Sequence, residues 1–201
     1  MREPVNLLLA SSNRGKLEEY AELAEGGQIR LEALPDFDVL PAFDESAPTF
    51  AENAAGKALH YSRFANSPVI ADDSGLVMRA LGGAPGPQSR RYAGPKATDA
   101  MRVSKLLEEM AGRQGEERRA RFVCVLAMAQ AGRVLAVFSD AVEGTLLEAP
   151  RGSAGFGYDP LFLYEPLGKT FAELPRRHKN ELSHRGKAFQ KLLSFLASPG
   201  E

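Results

Sequence analysis

Two adjacent carboxylates stand where a core belongs: Ala71-Asp72-Asp73-Ser74-Gly75 lies between Pro68-Val69-Ile70 and Leu76-Val77-Met78. The apolar flanks read as a pair of buried strands. An unpaired charge among them is costly enough that it neutralises or finds a cation. The pattern suggests a Mg2+ or Mn2+ site at a strand end, with Gly75 letting the backbone turn. The plain alternative is a polar turn capped by Asp, common in α/β proteins. What surrounds the segment decides between them.

The chain of 201 residues has room for one domain with a sizeable core or two merged lobes. Hydrophobic residues at 44% and charged residues at 25% describe a globular chain rather than a disordered one. A net charge of −1 gives no global field toward nucleic acid or an anionic membrane, so anion binding requires a local concentration of positive charge. The single cysteine, Cys124, sits in Phe122-Val123-Cys124-Val125-Leu126 and reads as a small buried hydrophobe, not a nucleophile. No stretch approaches the roughly 18 apolar residues of a membrane span, and no leader pattern is seen. The expectation is a cytoplasmic protein with no membrane or nucleic-acid partner.

Pattern along the chain predicts mixed α/β structure in one folding unit, 1–201. An apolar strand at 5–10 leads through a polar turn to a helix at 17–25, and a second short strand follows at 29–33. Residues 35–48, with three prolines and several acids, read as an ordered loop. Thr49-Phe50-Ala51-Glu52 has capping-box spacing and opens a helix to about 65. Strands flank Asp72-Asp73, and the Gly/Pro-rich stretch 81–94 is an extended loop. A helix at 98–110 precedes a hairpin, 121–130 and 134–143, joined at Ala131-Gly132-Arg133. A further strand begins at 145–147. A glycine-rich loop, 152–157, leads to a strand at 161–164. A last helix spans 183–196, with Ala188, Leu192 and Phe195 on its apolar side.

Four groups of residues are suited to chemistry. Ser11-Ser12-Asn13-Arg14-Gly15-Lys16 lies at the mouth of the first helix, where free N–H groups and the helix dipole attract phosphate and Lys16 adds a charge. The same residues equally suit a ligand-free helix start. Glu45 in the acidic loop and Lys57 in the capped helix are ordinary surface residues unless the loop folds over Asp73, in which case Glu45 completes an oxygen set for Mg2+. Phe156-Gly157-Tyr158-Asp159 suits a flat heterocycle, an aromatic face for stacking and a carboxylate for the ring edge. It suits a structural turn with buried aromatics just as well. Lys179 and Ser183-His184-Arg185 place cations at the start of the final helix, against its dipole, and residues held against local preference point to function.

Taken together, these motifs closely resemble the inosine/xanthosine triphosphate pyrophosphatases, the Ham1-like (RdgB-like) family. The resemblance is carried by Ser11-Ser12-Asn13-Arg14-Gly15-Lys16, Thr49-Phe50-Ala51-Glu52-Asn53 with Lys57, Ala71-Asp72-Asp73-Ser74-Gly75-Leu76, Leu81-Gly82-Gly83-Ala84-Pro85-Gly86, Gly155-Phe156-Gly157-Tyr158-Asp159-Pro160 and Ser183-His184-Arg185. It implies an elongated α/β unit of Maf/Ham1-like type, with a mixed sheet and two lobes flanking a substrate cleft. It also implies a homodimer and a Mg2+-dependent enzyme, with Mn2+ as a substitute, that cleaves dITP, ITP and XTP to the monophosphate and pyrophosphate. Carried over by position, Ser11, Ser12, Asn13, Arg14, Gly15, Lys16 and Lys57 face the triphosphate. Glu45, rather than its neighbour Asp44, binds the metal with Asp73, which is also the base. Ser74, Phe156, Gly157, Tyr158, Asp159, Lys179, His184 and Arg185 hold the nucleotide and its base. Departures are modest: Ser11-Ser12 stands where Thr-Gly is frequent, Gln88 where an aromatic is, and Arg90 where a small residue is.

Overall fold

The computed structural model describes residues 4–27 and 29–198. Its chain runs β1 (Val5–Leu9), α1 (Arg14–Ala24), β2 (Ile29–Ala33), α2 (Phe50–Tyr61), β3 (Val69–Met78), α3 (Asp99–Glu109), β4 (Arg119–Gln130), β5 (Arg133–Leu146), β6 (Phe162–Tyr164), β7 (Lys169–Thr170), α4 (Arg176–Leu182) and α5 (His184–Ala197). Hydrogen bonding orders the strands β2-β1-β3-β4-β5-β6-β7, a mixed seven-stranded sheet. The chain folds as two compact units. The first holds the described residues up to Asp73, Cys124–Asp140 and those from Arg185 on; the second holds Ser74–Val123 and Ala141–His184.

In the first unit β1 runs parallel to both β2 and β3, with Leu9 opposite Ala33 on one side and Ile70 on the other. Parallel strands of this kind need both faces covered, and strand alternation sorts the residues between them. Leu7, Leu9, Ile70, Cys124, Leu126 and Met128 face Tyr20 of α1 and Ala188, Phe189 and Leu192 of α5. Ala10, Val69, Ala71, Val125, Ala127 and Ala129 face Ala54, Ala58 and Tyr61 of α2. The many alanines on this second face let α2 approach the sheet closely. The β4–β5 turn is two residues, Ala131 at φ 48° and Gly132 at φ 74°, the positive angles a tight hairpin requires.

In the second unit Leu76 and Met78 of β3, Leu106 and Met110 at α3, Phe122 of β4, Val142 and Leu146 of β5, and Phe162 and Phe171 form one core. β5 and β6 pair antiparallel, as do β6 and β7. The buried guanidinium of Arg118 ties this core's edge by donating to the carbonyls of Leu146 (2.7 Å), Leu147 (2.8 Å), Met110 (3.3 Å) and Arg113 (3.3 Å).

Most predicted elements fall within a few residues of the observed ones, but four expectations are corrected. Asp72-Asp73 does not interrupt a strand pair, because β3 is one strand straight through both acids. Gly75 therefore makes no turn. A Cβ there would meet the Gly86 carbonyl oxygen at 2.6 Å and collide with the Ser89 hydroxyl, so glycine admits the 3-10 segment Gly86–Arg91 against the strand. Ser89 Oγ seals that approach, accepting from Leu76 N at 3.0 Å and donating to Gly86 O at 2.7 Å. Residues 145–147 start no new strand, since β5 continues to Leu146. Phe195 is 47% exposed, touching Phe138 at the rim instead of entering the core. The short elements β7 and α4 carry no periodic signal in the sequence, which is why no expectation covers them.

Candidate active site

The polar segment after β1 is shaped by its own side chains. Ser11 Oγ accepts from Asn13 N at 3.2 Å, and Asn13 caps α1 by accepting from Lys16 N at 3.2 Å. Ser12 and Arg14 are exposed, and Arg14 pairs with Glu18 at the surface. Lys16 turns inward, its Nζ 2.7 Å from Asp72 Oδ1.

Alternation along β3 sends the two acids to opposite faces. Asp72, fully buried, points to the α1/α5 face and meets Lys16 and Arg185 Nε (3.3 Å), with Cys124 Sγ 3.8 Å away. Burial alone raises a carboxyl, but the charges of Lys16, Arg185 and Lys57 outweigh it and hold Asp72 well below the usual carboxylate range. Asp73 points to the α2 face, where Asn53 Nδ2 donates to its Oδ2 at 2.9 Å. Here burial dominates: despite Lys16, the Asn53 hydrogen bond and Lys57, its carboxyl is pushed up to about 6, the charge of Glu45 adding to the rise. One step along a strand thus separates a fixed anion from a carboxylate poised to take up a proton near neutral pH.

The acidic loop does fold back over α2. Lys57 Nζ donates to Glu45 Oε1 at 2.7 Å and to the Asp72 carbonyl at 2.9 Å. Burial works to raise Glu45, but the Lys57 ammonium and its hydrogen bond prevail and the net direction is down. Phe43 N donates to Tyr61 Oη at 3.3 Å, and the His60 ring bonds the Pro41 carbonyl at 2.7 Å. In the first unit, then, Lys16, Glu45, Lys57 and Asp73 form one electrostatic cluster, since Lys16 and Lys57 act on both carboxyls and Glu45 acts on Asp73.

The second unit holds the other predicted group. Phe156 is half-buried, and its N donates to Asp159 Oδ2 at 2.9 Å. The buried Lys179 ammonium pairs with that same carboxylate and lies 4.9 Å from the centre of the Phe156 ring. Gly157 N donates to Asp99 Oδ2 at 2.7 Å, fastening the glycine-rich loop to α3. Gly155, at φ 73°, leaves no space for a Cβ beside the Asp159 carboxylate. The His184 ring stacks on Phe122, centroids 4.8 Å apart and 7° from parallel. Ser74 is half-buried on β3.

Two of the assigned residues also make structural contacts of their own. Tyr158 is no exposed aromatic face: it is buried in the core and its hydroxyl donates to the Ser89 carbonyl at 3.0 Å. The Arg185 guanidinium, 2% exposed, pairs with Glu19 and with Asp72, the anionic partners a buried cation requires. Sequence reasoning also missed Glu19, Asn53 and Asp99. The first two are buried polar residues within helical patterns, and only a polar break in the apolar face marked them.

A carboxylate cluster flanked by lysines, below a capped helix start, defines an α/β protein suited to phosphate-bearing ligands. The chain belongs to the Ham1 family, whose model it matches over residues 7–195. It is 49% identical over 186 residues to the dITP/XTP pyrophosphatase of Geobacillus kaustophilus, covering 92% of this chain and 91% of that one. It is 43% identical over 194 residues to the dITP/XTP pyrophosphatase of Geobacter sulfurreducens, covering 96% and 98%. Among solved structures, a HAM1 protein from Coxiella burnetii superposes with a TM-score of 0.85 at 41% identity, covering 96% of this chain and 98% of that one. The Staphylococcus aureus Ham1 protein gives 0.83 at 36% identity, covering 95% and 97%. Among the described residues no helix is long and apolar enough to cross a membrane.

Proposed function

We propose that this chain is a nucleoside triphosphate pyrophosphatase that hydrolyses dITP, ITP and XTP to the monophosphate and pyrophosphate, acting as one functional domain over 1–201. The observation that carries the reading is Asp73, a buried carboxyl raised to about 6 beside Glu45, Lys16 and Lys57, in a chain similar to proteins named dITP/XTP pyrophosphatase. Asp73 accepts the proton of the water that attacks the α-phosphorus, a task that suits a carboxyl titrating near neutral pH. Lys16 and Lys57 stabilise charge on the departing pyrophosphate. Ser11, Ser12, Asn13, Arg14 and Gly15 supply backbone and side-chain donors at the start of α1. In the second unit, Phe156 offers a face to the base, backed by Lys179 and Asp159, with Ser74, Gly157 and His184 beside the nucleotide.

A divalent cation fits the donor set. Asp73 and Glu45 are hard oxygen ligands, and Mg2+ typically takes one or two carboxylates together with substrate phosphates. The raised carboxyl of Asp73 is the state that a nearby dication would relieve. When bound, Mg2+ or Mn2+ supplies Lewis-acid neutralisation of the triphosphate charge. The same reading has the protein work as a homodimer in the cytoplasm. The deciding experiment measures pyrophosphate release from dITP, ITP, XTP and the four standard triphosphates, with Mg2+ and with chelator, and identifies products by phosphorus NMR. Pyrophosphate and monophosphate from dITP and XTP, abolished by chelator, are expected. Orthophosphate and a nucleoside diphosphate as primary products would sink the assignment.

A further inference from the structure

Asn53 is fully buried in the middle of the site, between the acidic loop and β3. Its amide makes three hydrogen bonds that fix its orientation. Oδ1 accepts from Ala47 N at 3.0 Å, Nδ2 donates to Ala47 O at 3.2 Å, and Nδ2 also donates to Asp73 Oδ2 at 2.9 Å. Ala47 lies two residues beyond Glu45, in the loop whose own grip on the helix at this point is the Lys57–Glu45 pair. One side chain therefore clasps both the backbone of the acidic loop and the carboxylate of β3. The helix cap aligns the clasp: Thr49 Oγ1 accepts from Glu52 N at 3.2 Å, so the turn that presents Asn53 is closed directly beneath the loop.

We infer that Asn53 is a positioning residue that sets the relative placement of Glu45 and Asp73, and hence the carboxylate geometry offered to a divalent cation. The inference rests on the reading of Asp73 and Glu45 as the metal-facing carboxylates. A ligand carboxylate free to rotate offers its oxygens in many geometries, and a hydrogen bond to one oxygen selects among them. An amide is the group required here. Aspartate retains the acceptor for Ala47 N but turns acceptors toward Ala47 O and Asp73. Alanine leaves the Ala47 N–H and carbonyl unsatisfied in a buried place.

The test uses the full-length protein. In Asn53→Ala the Mg2+ concentration for half-maximal turnover should rise about 10–100-fold, the usual cost of losing a group that orients a ligand, while KM for dITP at saturating Mg2+ moves less than about threefold. In parallel, the side-chain amide resonances of Asn53 in the 15N-labelled wild type, assigned by their disappearance in the variant, should broaden when Mn2+ alone is added. They should stay sharp in Asp73→Asn. An Asn53→Ala protein with unchanged Mg2+ requirement, or an Asn53 amide indifferent to Mn2+, overturns the inference. Should the alanine variant fail to fold, the wild-type resonances and Asn53→Ser, which keeps one donor, still decide it. Full turnover by Asp73→Asn would instead topple the reading of the site. An inactive Asp73→Asn with Asn53→Ala behaving as wild type would remove the positioning role alone.

Discussion

Replacing Asp73 by asparagine should make the protein more stable and nearly inactive at once. Asp73 is 5% exposed, and burial, aided by the charge of Glu45, lifts its carboxyl to about 6 from 3.8. A pKa higher in the folded than in the unfolded chain means that the folded state holds the proton more tightly. The associated stability is complete below about pH 4 and is lost as pH rises through 6. Two pH units at ~1.4 kcal/mol each give a penalty of about 3 kcal/mol at pH 8, and roughly half that at pH 5. Asparagine carries no charge at any pH, and its oxygen still accepts from Asn53. Its own NH2 needs an acceptor, which returns part of the gain, leaving about 1–3 kcal/mol. For a chain of this size that is about 2–12 °C in Tm. Thermal unfolding in chelator at pH 5, 6.5 and 8 reads it directly, and dITP turnover with Mg2+ should fall about 10²–10⁴-fold in the same variant. A Tm below wild type at pH 8, or a gain that does not grow from pH 5 to pH 8, would refute the desolvation argument. Near-normal turnover would show that Asp73 is not the base.

Its neighbour should respond in the opposite sense: Asp72→Asn removes the anion between Lys16 and Arg185 and should cost about 3–5 kcal/mol at pH 7 in urea unfolding. Because Asp72 titrates below its unfolded value, that difference is present above about pH 4 and narrows in acid, and an unaffected variant at pH 7 would discredit the network. Arg185→Ala takes a buried cation away from Glu19 and Asp72, so kcat/KM for ITP and ATP should fall in proportion, along with Tm; a collapse of their ratio alone would point to base reading by Arg185. Gly75→Ala drives a methyl into Ser89 and the Gly86 carbonyl and should cost about 1–3 kcal/mol, whereas wild-type stability would mean that the 3-10 segment yields freely.

Much of this was legible in the chain because the signals were periodic or chemical. The caps Asn13, Thr49 and Thr98 each lie where a polar residue precedes a helical pattern, and each accepts from the helix it opens. Asp72-Asp73 was conspicuous because charge inside an apolar run demands a partner. What stayed hidden was direction. Nothing local in Leu17-Glu18-Glu19-Tyr20 tells which glutamate turns inward, and Glu19 is chosen by Arg185, 166 residues later. Tyr158 and Phe156 are two residues apart in one loop. Tyr158 is the one drawn into the core, where its hydroxyl meets the carbonyl of Ser89, brought up by the space at Gly75.

The pairing of unlike acids explains why both are present. Asp72 stays charged at any working pH because three cations act on it, and in return it holds the Lys16 ammonium at a fixed place, 2.7 Å away. With Lys16 so held, the electrostatic pull on Asp73 is constant. The balance between that pull and burial leaves Asp73 titrating near neutral pH rather than far from it. A lone carboxylate on β3 would have to serve both ends, and neutralising it for catalysis would release the lysine. Alternation along a single strand separates the two duties by one residue. A one-residue slip of β3 would turn each acid to the opposite face, taking Asp72 away from Lys16 and Arg185 and Asp73 away from Asn53. The unbroken register of β1 with β3 at Leu8–Val69 and Leu9–Ile70 is therefore part of the chemistry as well as of the fold.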